Sequence, residues 1–114
     1  MRGSNLLKKV VLILTTEGSH LKAVELAQSL LKRKLAACVN LRSIESHFWW
    51  EGNLEAIKEV QLLIKTSPSL VADLCEVINE QHSYTTPEII ELNCRASNEY
   101  IDWIESSVSC SKSS

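Results

Sequence analysis

With 114 residues the chain has room for one domain and little besides. Apolar residues at 45% and charged residues at 23% are enough to build a core and exclude a wholly disordered chain. The 12 Lys and Arg against 14 Asp and Glu leave a net charge of −2, which gives no electrostatic footprint for nucleic acid and no polybasic patch for anionic lipid.

The N-terminal residues carry no secretory pattern. Residues 1–8 read as a flexible N-terminus, and 1–4 are left out of the fold. The apolar run Val10–Leu14 falls far short of the roughly 20 residues that span a bilayer. Residues 9–15 are a strand with no polar face, the mark of a strand in the middle of a sheet covered on both sides. Glu17-Gly18-Ser19 is a turn, with Ser19 capping a helix that runs to about Lys34 on a stripe of Ala23, Leu26, Ala27, Leu30 and Leu31. The basic end Lys32-Arg33-Lys34 suits the helix dipole.

Residues 36–50 and 54–66 form a long hairpin around Glu51-Gly52-Asn53. With Gly52-Asn53 as the two-residue loop, Leu41 sits opposite Ile64. Ala37, Val39 and Leu41 then share a face with Val60, Leu62 and Ile64, and the other face carries Cys38, Arg42, Ile44, Phe48, Trp50, Ile57, Glu59, Leu63 and Lys65. Ser67-Pro68 opens a second helix that ends near His82, and Ser83–Pro87 is a loop. Residues 88–94 are the last strand. Ser97 caps a final helix that packs through Tyr100, Ile101, Ile104 and Val108, and 109–114 is a disordered Ser-rich tail.

The order βαββαβ plus a C-terminal helix, over residues 9–108, specifies a single α/β (α+β) ferredoxin-like sandwich with the first and third strands central. Helices on one side leave Ile44, Phe48, Trp50, Ile57 and Leu63 uncovered on the other. Exposing that surface costs about 25 cal/mol per Å², so another copy of the chain is expected to cover it.

Few residues suggest chemistry. His82 stands at a helix end beside a Pro-terminated loop, where an imidazole binds metal or simply caps the helix dipole. Glu59, an acid on a face expected at an interface, needs a partner, for which Lys65 and Arg42 are placed. His20 and His47 read as surface residues, and the Trp49-Trp50 pair as an interface or a cleft lining. With three glycines there is no Walker loop or GxGxxG, and neither a nucleophile elbow nor HExxH occurs, so nothing points to an enzyme. Cys38, Cys75, Cys94 and Cys110 lack zinc-site spacing and read as reduced thiols of a cytoplasmic protein.

Three segments together resemble the divalent-cation tolerance family, CutA: Leu35-Ala36-Ala37-Cys38-Val39-Asn40; Trp50-Glu51-Gly52-Asn53-Leu54-Glu55 running into Glu59-Val60-Gln61 and Lys65-Thr66; and His82-Ser83-Tyr84-Thr85-Thr86-Pro87-Glu88. The similarity extends from about Val10 to Val108. It implies a homotrimer with hairpins wrapped onto neighbouring subunits, a cytoplasmic location, and a role in tolerance of copper and other divalent ions, with no enzyme activity. Some members carry a cysteine where Thr15 stands and a second histidine where Gln81 stands, leaving His82, Glu59 and Cys38 as metal ligands here. Such a set implies no tightly bound cofactor and weak binding of Cu2+ or another divalent cation, about micromolar or worse. The same family resembles the trimeric PII signalling proteins, which implies an alternative: a small effector in clefts between subunits, met by Trp50, Lys65 and Tyr84. A third reading is a structural trimer with a protein partner.

Overall fold

The computed structural model describes residues 7–109. Strand β1 (Leu7–Glu17) leads to helix α1 (His20–Lys32), the hairpin β2 (Cys38–Trp50) and β3 (Asn53–Thr66), helix α2 (Val71–Gln81), strand β4 (Ile90–Ser97) and helix α3 (Asn98–Val108). The strands form one antiparallel sheet in the order β2-β3-β1-β4, so β1 and β3 are central, as the ferredoxin-like reading requires.

Both faces of β1 are used. Val11 and Ile13 join Val60, Leu62 and Ile64 of β3 under α1 and α2, in a core completed by Leu26, Leu30, Leu74 and Ile78. Val10, on the opposite face, packs under Ile101 and Ile104 of α3, with Ala37, Cys94 and Tyr100 alongside. The C-terminal helix thus takes one end of the face that the other helices leave open. Ala37 lies just before β2, donates its N–H to the Lys65 carbonyl at 2.9 Å, and belongs to this second cluster rather than to the Val39 and Leu41 face.

Several boundaries move for identifiable reasons. The hairpin loop is Glu51-Gly52, not Gly52-Asn53: φ is positive at both residues (50° and 82°), the primed turn that matches strand twist, and Trp50 pairs with Asn53. Leu41 therefore faces Leu62 rather than Ile64. The slip is two residues, an even number, so the paired residues Cys38–Trp50 and Asn53–Lys65 keep their expected faces, and only Ala37, ahead of β2, changes side. Strands β1 and β4 run past their expected ends together, because Leu7, Lys8 and Lys9 pair with Ser97, Ala96 and Arg95. Leu7 and Lys8 are consequently strand rather than flexible lead. At the other end of β4, residues 88 and 89 stay outside the ladder, and Ile89 packs into the main core. Pro68–Leu70 forms a 3-10 turn before α2, and the Ser67 side chain makes no capping bond. Ser19 and Ser97 do cap their helices, accepting from the backbone N–H groups of Lys22 and Tyr100. The expectations for residues 1–6 and for 110–114, including Cys110, fall outside the described residues.

The exit from α1 fixes where β2 begins. Leu35 N–H bonds back to the Leu30 carbonyl at 3.0 Å and Lys34 N–H to Leu31 at 3.1 Å, a Schellman closure with Lys34 in the left-handed region at φ 61°. Thr66, fully buried, donates its hydroxyl to the Leu35 carbonyl at 2.7 Å and ties this turn to the end of β3. A lysine is strained at such a φ by about 1–2 kcal/mol, whereas glycine is not. Lys34→Gly should therefore raise stability by about 0.5–1 kcal/mol after the added freedom of the unfolded chain is counted, read as a higher denaturant midpoint at unchanged slope.

Candidate functional site

Strand β1 ends in a polar cluster that its apolar run does not announce. Thr15, Thr16 and Glu17 are all buried. The Glu17 side chain is only 2% exposed, and three donors reach it. Gly18 N–H approaches Oε1 at 3.2 Å, Ser83 N–H approaches Oε2 at 3.2 Å, and the Ser83 hydroxyl donates to Oε1. A buried carboxylate without such donors is very costly, so the loop after α2 is anchored here by the needs of Glu17.

His82 terminates α2 with its side chain fully shielded. Its Nε2 bonds the Thr16 carbonyl, and its Nδ1 accepts the Tyr84 N–H at 2.9 Å. A carbonyl only accepts, so these partners assign the neutral tautomer with the proton on Nε2. Glu17 Oε2 lies 3.7 Å from Nδ1. Both ring nitrogens are occupied, and neither lone pair nor proton faces an open position. In this state His82 acts as a peg that fixes the loop against β1.

Tyr84 carries the loop across to the hairpin. Its ring tilts against His82 at 4.9 Å between centroids, and its hydroxyl donates to Glu59 Oε2 at 2.7 Å. Ser46 on β2 donates to the other oxygen, Oε1, at 2.6 Å. A Cβ added at Gly18 would lie 3.4 Å from the Tyr84 hydroxyl, an ordinary van der Waals contact, so the ring packs directly over this turn. Beside Glu59 opens a cleft of about 530 Å³, lined by Gly18, Ser19, His20, Ser43, Glu45 and Lys58 among others.

The remaining sequence-derived candidates do not converge on this point within one chain. Glu59 pairs with neither Lys65 nor Arg42: the Arg42 guanidinium bonds Gln61 Oε1 at 3.0 Å, and the Lys65 ammonium sits over the Tyr100 ring at 5.6 Å. Cys38 pairs with Lys65, six strand residues from Glu59, or about 20 Å. Trp50 stands at the hairpin tip, 58% exposed and farther still from Lys65. Among the described residues no group of three or more His, Cys, Asp or Glu is close enough to hold a metal ion. Sequence reasoning overlooked Glu17, Ser83 and Ser46. The available signal was an acid three residues beyond an unbroken apolar run, after Thr15 and Thr16, with a hydroxyl-rich loop elsewhere to serve it.

Burial holds the Tyr84 phenol well above its ordinary range, reinforced by its bond to Glu59 and by the negative charges of Glu59 and Glu17. The folded state therefore keeps this proton more tightly than the unfolded chain. The stabilisation is complete below about pH 10, where the unfolded phenol is still protonated, and is lost progressively above it. Tyr84→Phe should cost about 1–2 kcal/mol at pH 7 and make the loss of stability above pH 10 shallower, as measured by urea unfolding at a series of pH values.

The family model described as "CutA1 divalent ion tolerance protein" matches residues 11–107. A divalent-cation tolerance protein CutA from Archaeoglobus fulgidus is 41% identical over 97 residues, covering 84% of this chain and 95% of that relative. A chloroplastic CutA 1 from rice is 43% identical over 84 residues, which is 72% of this chain and 48% of the rice protein. Among solved structures, CutA from Synechococcus elongatus superposes with a TM-score of 0.87 at 34% identity, covering 90% of this chain and 96% of that one. The Archaeoglobus fulgidus structure, named a periplasmic divalent cation tolerance protein, gives 0.85 at 39% identity over 90% of this chain and 100% of that one. Sequence and fold agree, and the chain belongs to the CutA1 divalent ion tolerance family.

Proposed function

We propose that the protein serves divalent cation tolerance in the cytoplasm as a homotrimer, acting by binding and not by catalysis. The observation that carries assembly is the open side of the sheet. Ile57, Ile90 and Leu92 are 38%, 44% and 40% exposed in the isolated protomer. Leu12, Leu14, Ile44, Phe48 and Leu63 on the same side are only half-buried. Helix α3 covers one end of this strip, and a second copy is the natural cover for the rest. The number three follows from the family resemblance. Free thiols at Cys38, Cys75 and Cys94 suit a reducing compartment. At Cys75, burial and the neighbouring Glu91 charge raise the thiol above its ordinary range and keep it unreactive at neutral pH.

Copper, as cargo, is the finer part of this reading. One protomer does not supply a ligand set, so a bound ion must draw donors from two subunits. His82 joins it only by releasing the Thr16 carbonyl or the Tyr84 amide. Binding is accordingly weak. The volume of the cleft beside Glu59 favours a second reading, a small polar effector, since small-molecule sites fall in the range of about 300–1,000 Å³.

Light scattering at micromolar concentration should report about three chains per particle. Ile57→Asp should give a folded but dissociated chain, because the side chain is partly exposed in the protomer and buried without a counter-charge in the assembly. A monomeric wild type refutes the assembly. Copper calorimetry at pH 7.5 on protein lacking His20 and His47 separates the two ligand readings. Affinity lost in His82→Gln supports copper, and affinity unchanged in it leaves the effector reading.

A further inference from the structure

Three cations gather at the end of the sheet opposite Glu17. Lys9 on β1 and Arg95 on β4 are direct cross-strand partners, and Lys8 is the next residue along. Like charges placed opposite one another in an antiparallel ladder repel, and such a pair persists only at a cost in stability. No acid relieves it: among the described residues the carboxylates within 4.0 Å of a basic side-chain nitrogen are Glu45 and Glu17, and each stands beside a histidine. The nearest acid along β4 is Glu91, four residues from Arg95 or about 13 Å. This occurs on a chain whose net charge is −2, so the local excess is not a general basicity.

The same residues line a cleft of about 790 Å³, together with Leu7, Asn93 and Cys94. Lys9, Arg95 and Asn93 share one face of the β1–β4 ladder, so this side of the cleft offers an ammonium, a guanidinium and a carboxamide. A guanidinium meets two oxygens of one anionic group at once, and lysines add point charge from the side. The cleft lies eight residues along β1 from Glu17, about 26 Å, and is separate from the one beside Glu59.

We propose that this cleft is a binding site for a small free anion carrying at least two close negative charges, of the phosphate or diphosphate type. Lys9 and Arg95 grip the anion from adjacent strands, and Asn93, on the same face, donates a neutral hydrogen bond. Binding converts the unfavourable Lys9–Arg95 opposition into a bridged pair, so occupancy also strengthens the β1–β4 ladder.

The probe is pyrophosphate, titrated into the full-length protein by calorimetry at low ionic strength, with melting temperature measured in parallel. Expected are saturable binding of one anion per chain, a rise in melting temperature, and a loss of affinity of roughly tenfold in each of Lys9→Gln and Arg95→Gln. Lys22→Gln, an exposed charge removed on α1, should bind as the wild type does. In phosphate-free buffer Lys9→Gln and Arg95→Gln should melt higher than the wild type, since each removes the repulsion, and pyrophosphate should no longer raise their melting temperature. The proposal is overturned by non-saturable binding, by an equal loss in Lys22→Gln, or by variants that melt no higher than the wild type. Association with phosphatidic acid vesicles but not with pyrophosphate also overturns it, because the occupant would then be a lipid surface.

Discussion

A carboxylate removed from water must be surrounded by donors, and Glu17 is that group here. It sits at the last position of the central strand, almost wholly shielded, where an unpaired charge would be untenable. Its donors come from Gly18 beside it and from Ser83, 66 residues further along. That requirement draws the loop after α2 across the end of the sheet, and it brings His82 and Tyr84 with it. His82 then pegs the loop to the Thr16 carbonyl, and Tyr84 passes the connection to Glu59 on the hairpin. Three distant segments become one polar unit because one buried charge has to be satisfied.

This unit bears on metal chemistry. An imidazole binds a cation through a free lone pair, and the one on His82 Nδ1 already receives the Tyr84 amide. Glu59 likewise has both oxygens held by neutral hydroxyl donors, from Ser46 and Tyr84. Within one chain these residues therefore work as structure, and a ligand that engages them must exchange its own interactions for those bonds. The sheet adds a second constraint. A strand apolar on both sides, such as β1, needs cover on both sides, yet α3 reaches only the Val10 end of the second face. The uncovered remainder, around Leu12, Ile57 and Leu92, makes self-association the physical complement of the fold.

Much of the architecture was legible residue by residue. The apolar run of β1, the alternation of Val60, Leu62 and Ile64, and the Ser19 and Ser97 caps are local patterns whose meaning depends on nearby residues. The hairpin illustrates the limit. Alternation settled which side chains share a face, but the loop position depended on whether Glu51 would accept a positive φ, which composition near the turn did not reveal. The early start of β1 and the late end of β4 were invisible for a related reason. Lys8, Lys9 and Arg95 are poor strand signals individually, and it is the backbone ladder between the two segments, formed in spite of the Lys9–Arg95 repulsion, that makes both strand.

The sequence by itself determined the order of elements, the faces of the sheet, the surplus of apolar surface and the family, because periodicity, capping and turn chemistry act over a few residues. Only the tertiary structure decided what the polar residues do. Glu17 looked like part of a turn, His82 like a metal ligand or a helix cap, and nothing in the sequence paired Lys9 with Arg95. Their roles depend on which groups stand within about 3–4 Å of them, and those neighbours come from segments up to 86 residues apart, brought together by the packing of a core in which none of these side chains takes part.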